Sequence, residues 1–286
     1  MMPILEVISV GSGMTLQDSG RSGWRRFGVA PGGAMDQHGM VQANRLLGNL
    51  QHAPVLELMR QGAQLKVLAD TWLALSGGGF CAELPAWSAR FFEAGSVLHF
   101  SELSEGLWAY LAVPGGFVAP KYFESVSVDT RSGIGSGLKQ GERLYAKGPI
   151  IAGQYPRVRQ RQVHPDLQKV YPDEQQIRLL PGPQYDSFAA DSRRLLVEGL
   201  WQVSPRSDRT GYRLDGGVLE PAPSIHSEPV ISGSIQVTTD GLAIVTMRYG
   251  PTVGGYPKIA VIREADLDQF AQCGPGTRIK FIWEHY

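Results

Sequence analysis

The amino-acid sequence predicts a mainly β protein built in two related halves, and three observations carry that prediction. Glycine and proline are abundant, 35 and 19 of 286 residues, and they interrupt the chain at short intervals. Long helical periodicity is scarce, whereas short apolar runs between turn residues recur throughout. The pentad Arg21-Ser-Gly-Trp-Arg25 also returns in type as Arg209-Thr-Gly-Tyr-Arg213. Each half is expected to bring its pentad loop to a common site.

Ile4 to Val10 alternates like a strand and enters a turn at Gly11-Ser-Gly13. A glycine-dense stretch from Thr15 to Asn49 follows, where backbone at positive φ can come close to a bound group. Within it, Met40, Ala43, Leu46 and Leu47 recur at helical spacing, Asp36 is a candidate N-cap and Gly48-Asn49 a stop. A capping Asp36 would spend its carboxylate on backbone N–H groups. Val55–Met59, Gln64–Leu68, Thr71–Ser76, Ser88–Phe92, Val97–Phe100 and Trp108–Val113 read as short strands, as in a barrel or sandwich.

Val126 to Gly137 reads as a polar loop, with a turn at Gln140-Gly141. Tyr155 to Tyr171, with Arg157, Arg159, Arg161 and Lys169 and little apolar periodicity, reads as the linker between halves. The expected domains are therefore 1–173, an N-terminal domain with linker, and 174–286. The second half is expected to carry strands at Gln176–Leu180, Leu195–Val203, Gly217–Leu219, Ser234–Thr238, Leu242–Met247 and Thr277–Trp283. Ala265 to Cys273 reads as one short helix ending at Gly274-Pro-Gly276.

Balanced charge, 27 basic against 27 acidic residues, argues against binding nucleic acid or a membrane surface through bulk electrostatics. Cys81 and Cys273 give no disulfide framework, and neither a signal peptide nor an apolar run long enough to span a membrane is seen. The expected location is the cytoplasm. No Gly-Lys dipeptide exists to build a Walker loop, and no G-x-S-x-G elbow is present. The six histidines show no paired-ligand spacing, so no metal site is expected.

Three clusters hold chemistry suited to a small anionic or amide ligand. The first is Gln17, Asp18, Arg21 and Arg25; the second is Arg206, Asp208, Arg209, Tyr212 and Arg213. The third comprises Gln236 with Thr252, Gly254, Gly255 and Tyr256. Arginine forks donate two parallel hydrogen bonds to a carboxylate or phosphate. The arginines of the second cluster fit either a ligand site or an internal network with Asp208, Asp215 and Glu220. Gly254-Gly255 fits either close ligand approach or a tight turn.

These motifs are joined by Pro31-Gly-Gly-Ala-Met-Asp36, Ala43-Asn-Arg-Leu-Leu-Gly-Asn49, Leu56-Glu57, Tyr110-Leu-Ala-Val-Pro-Gly-Gly116, Leu180-Pro-Gly-Pro183, Gly233-Ser-Ile-Gln-Val237 and Gly254-Gly-Tyr-Pro257. In that order the chain resembles the allophanate hydrolase subunit 2 or carboxyltransferase A/B family. That family includes the C subunit of bacterial 5-oxoprolinase and an antagonist of a kinase inhibitor in sporulation control. The resemblance implies two cyclophilin-like β-barrel domains with a few short helices. It also implies a partner, the inhibitor-like B subunit, which together with an A subunit opens 5-oxoproline to glutamate at the expense of ATP. The ATP is bound by the complex and need not touch this chain.

In urea carboxylase the related domain moves a carboxyl group from biotin to urea; biotin enters only under that alternative. The missing Met-Lys pair fits a chain that borrows a carrier or uses none, and a chain standing apart from a biotin carboxylase points to the 5-oxoprolinase type. The substrate would be a small amide or carboxylate, its carboxylate held by Arg21, Arg209 or Arg213 and its amide oriented by Gln17 and Gln236. No catalytic residue is identified. Tyr249 stands where this family usually carries an aspartate, which leaves room for a regulatory protein that binds an inhibitor-like partner without turnover.

Overall fold

The structure, a computed structural model, describes residues 2–59, 62–79, 81–101, 105–147 and 160–284. The chain divides into two compact units, one of Met1–Arg21 with Gly32–Val170, the other of Ser22–Pro31 with Tyr171–Tyr286. A segment of the glycine-dense stretch therefore belongs with the C-terminal half.

The first unit carries β1 (Met2–Val10), β2 (Met14–Gln17), α1 (Gln37–Leu46), β3 (Val55–Met59), β4 (Ala63–Val67) and β5 (Thr71–Gly77). It continues with β6 (Ser88–Phe92), β7 (Val97–Phe100), β8 (Trp108–Ala112), β9 (Arg143–Ala146) and β10 (Gln160–Gln162). They form a sheet in the order β7-β4-β1-β9 and another in the order β10-β6-β5-β8-β3-β2. Leu5, Val7, Leu56, Leu65, Leu75, Phe100 and Leu111 from both sheets share one buried core. β5 and β8 are buried on both faces because α1 covers them, so their sequences run apolar without alternation. Asp36 caps α1, its carboxylate accepting from Gly39 N at 2.8 Å.

The second unit carries β11 (Glu174–Pro181), α2 (Ala190–Glu198), β12 (Trp201–Val203), β13 (Gly211–Asp215), β14 (Glu228–Pro229) and β15 (Ser234–Val237). β16 (Ala243–Thr246), β17 (Val253–Gly254), β18 (Lys258–Ile262), α3 (Glu264–Ala271) and β19 (Arg278–Trp283) complete it. The strands β11-β18-β15-β16-β13-β12-β19 close into a barrel, sealed by the parallel pairing of β11 with β19. The chain is mainly β, as its punctuation predicts. β14 and β17 form a separate two-stranded ribbon, Glu228 opposite Gly254.

Three expectations are corrected. Leu195–Val203 is not one strand: it contains the last turn of α2, then β12, with Gly199 at the junction. A Cβ on Gly199 would lie 2.6 Å from the Leu195 carbonyl oxygen, so glycine lets helix pass directly into strand. Gly217–Leu219 is irregular, and the strand there is β13, upstream. Of the expected linker, residues 155–159 lie outside the described residues. Gln160–Gln162 pairs with Ser88–Arg90 as an edge strand of the first unit.

Candidate functional site

In the first unit Gln17 and Asp18 of the glycine-dense stretch are committed to the fold, and Arg21 is so in part. Gln17, wholly buried at the end of β2, donates to Thr15 Oγ1 at 2.8 Å and to the Val128 carbonyl at 3.1 Å. The Asp18 carboxylate accepts from Gly20 N (2.8 Å), Ser125 Oγ (2.5 Å), Ser127 Oγ (2.6 Å) and Val126 N (2.9 Å). It thereby pins the loop around Ser125–Ser127, which no local pattern near residue 18 foretells. Arg21 is buried and donates to the Ser127 carbonyl; its Nε and Nη1 meet no acceptor among the described residues.

Glu57 accepts from Met35 N (2.8 Å) and Tyr110 Oη (3.0 Å), and Asp36 N donates to Tyr110 Oη at 2.7 Å. Burial, then the Glu57 and Asp36 carboxylates, push the Tyr110 phenol well above its usual range, so it stays a neutral donor. A cavity of about 780 Å³ opens in this unit between Asp18–Gly20, the Gly48–Ala53 turn, Pro114–Gly115 and Lys147.

The second pentad cluster splits in the structure. β13 buries Tyr212 and Leu214 and turns Arg213 and Asp215 outward. Tyr212 Oη donates to the Ala271 carbonyl at 2.8 Å. Arg206 is exposed, 3.8 Å from Asp215. Asp208 shapes the turn, its Oδ1 accepting from Thr210 N at 2.7 Å and Gly211 N at 3.2 Å. Arg209 lies on Tyr249, its guanidinium carbon 4.3 Å from the ring centroid, a cation–π contact. Arg25, in the segment that joins this unit, donates to the Val230 carbonyl.

A denser polar constellation sits on the barrel wall formed by β16, β15 and β18. Ile235, Val237, Val245 and Ala260 are buried and share one face. Gln236 and Thr246 lie on the other, joined by a hydrogen bond from Gln236 Nε2 to Thr246 Oγ1 at 2.8 Å. Lys258, the residue paired with Gln236 across β18, is only 2% exposed. Its Nζ lies 2.7 Å from Glu228 Oε1. Gln184 binds both partners, donating to Glu228 Oε1 at 2.9 Å and accepting from Lys258 N at 3.0 Å. Lys258, then Gln184, hold the Glu228 carboxyl below its ordinary range, so it is ionised.

The third predicted cluster converges here in part. Gly254 in β17 packs on Gln236: a Cβ would sit 3.0 Å from Gln236 Oε1 and 3.0 Å from Val230 Cγ2. Close packing, not positive φ, is what this glycine supplies. Gly255 has more room, its nearest neighbours 3.6 Å from an added Cβ. Thr252 accepts from Val230 N at 3.1 Å through its carbonyl, and Tyr256 is 43% exposed.

Sequence reasoning missed Lys258, Glu228, Gln184 and Thr246. Lys258 had a signal, a lone charge at the head of the apolar run Ile259-Ala-Val-Ile262. Glu228 and Gln184 had none, being brought to it only by the barrel and its ribbon. Among the described residues, no group of three or more His, Cys, Asp or Glu is placed to hold a metal ion. None of the described helices is long and apolar enough to cross a membrane.

The carboxyltransferase domain family, subdomain A and B, matches residues 27–283. The chain belongs to the carboxyltransferase A/B family. Within this family it is 35% identical to the C subunit of 5-oxoprolinase from Escherichia coli (strain K12), over 98% of this chain and 91% of that protein. To urea amidolyase of Lachancea kluyveri it is 32% identical over 97% of its own length, but it spans only 17% of that enzyme. The crystal structure of TTHA0988 superposes with a TM-score of 0.88 at 32% identity, covering 98% of this chain and 56% of that one. The Kluyveromyces lactis urea amidolyase structure does so at 0.85 and 27% identity, over 19% of its length. These carboxyltransferase A/B relatives carry the same mainly β fold.

Proposed function

We propose that this chain is the C-type component of a 5-oxoprolinase, an amidohydrolase complex that opens 5-oxoproline to glutamate with ATP. One observation carries the reading: the kinship to the C subunit of that enzyme extends over nine-tenths of both proteins. The polar wall of the C-terminal barrel supports it with suitable chemistry. In this reading Gln236, fixed by Thr246 and Gly254, orients the substrate amide, and Arg209, stacked on Tyr249, receives its carboxylate. A guanidinium so placed also stabilises negative charge that develops on the opening amide.

In this reading the chain works with the A and B subunits in the cytoplasm. ATP is a reactant of the assembly, and this chain offers no Gly-Lys phosphate loop to bind it. The kinship to urea amidolyase favours a second reading, carboxyl transfer from a biotin borne on another chain, without any role for 5-oxoproline.

Co-expression with candidate A and B subunits, purification of the complex and assay of ATP-dependent glutamate release tests the first reading. Turnover that needs all three chains is expected. An assembled complex that releases no glutamate overturns it, and carboxylation of urea by the same complex with a biotinylated carrier establishes the second. A complex that forms and turns over neither substrate identifies a regulatory binding protein, the outcome that Tyr249 in place of the family's usual aspartate would explain.

A further inference from the structure

Lys258 is buried beyond nine-tenths, yet its ammonium has one partner among the described residues, the Glu228 carboxylate at 2.7 Å. Lysine carries three N–H donors, and a purely structural buried lysine would spend them all, because an unmet buried donor is costly. Here no hydrogen bond of good geometry reaches a protein acceptor from Nζ among the described residues. The one carboxylate beside it among the described residues offers Oε1 at 2.7 Å, an oxygen also engaged by Gln184, and this cannot take all three ammonium donors.

The surroundings hold the amine in place. The backbone N–H of Lys258 is fixed by Gln184 Oε1, the strand by its pairing with β15, and Glu228 by the ribbon pairing with Gly254. Gln236, its cross-strand neighbour, is oriented by Thr246 and confined by Gly254. An ammonium with donors to spare beside a fixed amide matches a small molecule bearing a carbonyl or carboxylate oxygen.

We infer that Lys258 is a ligand-binding residue: its ammonium, steered by Glu228 and Gln184, donates to the carbonyl or carboxylate oxygen of a small ligand lying against Gln236. Glu228 and Gln184 are positioning residues. The inference rests on the reading that the ligand of this chain occupies the barrel wall, and it adds a residue to that site.

The test uses the full chain in its assembled complex, with 5-oxoproline, urea and bicarbonate as separate probes measured by titration calorimetry without nucleotide. Lys258→Met is expected to weaken whichever probe the wild type binds by about tenfold or more, the loss of a hydrogen bond from a charged donor. Lys258→Arg, which keeps the charge but changes its geometry, is expected to weaken it at least about threefold. Glu228→Gln and Gln184→Ala should raise KM more than they lower kcat, whereas a merely structural role would lower the melting temperature and leave KM alone.

Affinity unchanged in Lys258→Met overturns the inference, as does failure of all three probes to bind the wild type. If Lys258→Met does not fold, unchanged affinity in Lys258→Arg overturns it. The outcome separates from that of the proposed function. Binding of urea or bicarbonate but not 5-oxoproline defeats the 5-oxoprolinase reading and still interrogates Lys258. Glutamate release with an unchanged KM in Lys258→Met defeats Lys258 alone.

Discussion

Asp18 in the N-terminal unit and Lys258 in the C-terminal unit are both buried charges, yet the fold treats them in opposite ways. Asp18 accepts four hydrogen bonds, two from serine hydroxyls and two from backbone amides, and its charge is spread over a loop it holds shut. Among the described residues Lys258 faces a single, shared, partly exposed carboxylate. The first arrangement is what stability requires of a buried ion; the second leaves binding capacity unspent. A charged residue in a glycine-rich motif is therefore no better a guide to ligand contact than one in an apolar strand. Its partners decide.

The contrast breaks most sharply on substitution. Asp18→Ala strands the buried donors of Ser125, Val126 and Ser127 and the half-buried Gly20 N–H and is expected to cost about 3–5 kcal/mol in urea unfolding. A loss under about 1 kcal/mol would mean that the loop stands without it.

Asp266 supplies an intermediate case. It accepts from Arg178 N at 2.9 Å and Nε at 2.8 Å. Burial acts to raise its pKa, but the hydrogen bonds and charge of Arg178 outweigh this and hold the carboxyl below its ordinary range. Its stabilisation is complete above the pKa of the unfolded carboxyl, near 4, and is lost as pH falls through the lower folded value. Asp266→Asn is expected to cost about 1–2 kcal/mol at neutral pH, discounted because the Arg178 side chain is 40% exposed. Melting curves of wild type and variant should begin to approach one another near pH 4 and converge only once pH has fallen through the lower folded value.

Lys258→Met should then change stability by about 1 kcal/mol or less, because the abandoned Glu228 can rehydrate. A loss comparable with that of Asp18→Ala would put Lys258 among the stabilising ions and erase the contrast. Arg206→Ala, removing an exposed arginine 3.8 Å from Asp215, should shift stability by about 0.5 kcal/mol at most.

The same contrast explains what could be read from the sequence. Features set by near neighbours were legible: Asp36 caps α1, and the strands from β3 to β8 appear between their glycine and proline punctuation. Where a helix passes into a strand with no loop between them, the reading failed. The apolar run across Leu195–Val203 hides the junction of α2 and β12, because Gly199 lets one period give way to another within a residue. β18 went unnoticed behind Pro257, although its composition suits a strand.

At the site, Gln236 and Gly254 were read from their motifs and do meet. Arg206 and Arg213 looked equivalent to Arg209, but strand alternation turns Arg213 outward and Arg206 lies in solvent. Glu228 and Gln184 stand 30 and 74 positions before Lys258, and only barrel closure joins them. Hydrogen bonds over such separations leave no periodic trace.

The excursion of Ser22–Pro31 has a practical consequence for anyone dissecting this molecule with a gene. Because that decapeptide is counted with the C-terminal half, a cut between Val170 and Tyr171 severs sequence but not architecture. The downstream fragment would be born without Arg25, the donor to the Val230 carbonyl, and the upstream fragment would trail ten residues whose home had been deleted. Fragments intended to fold alone would need that piece transplanted by circular permutation or grafting.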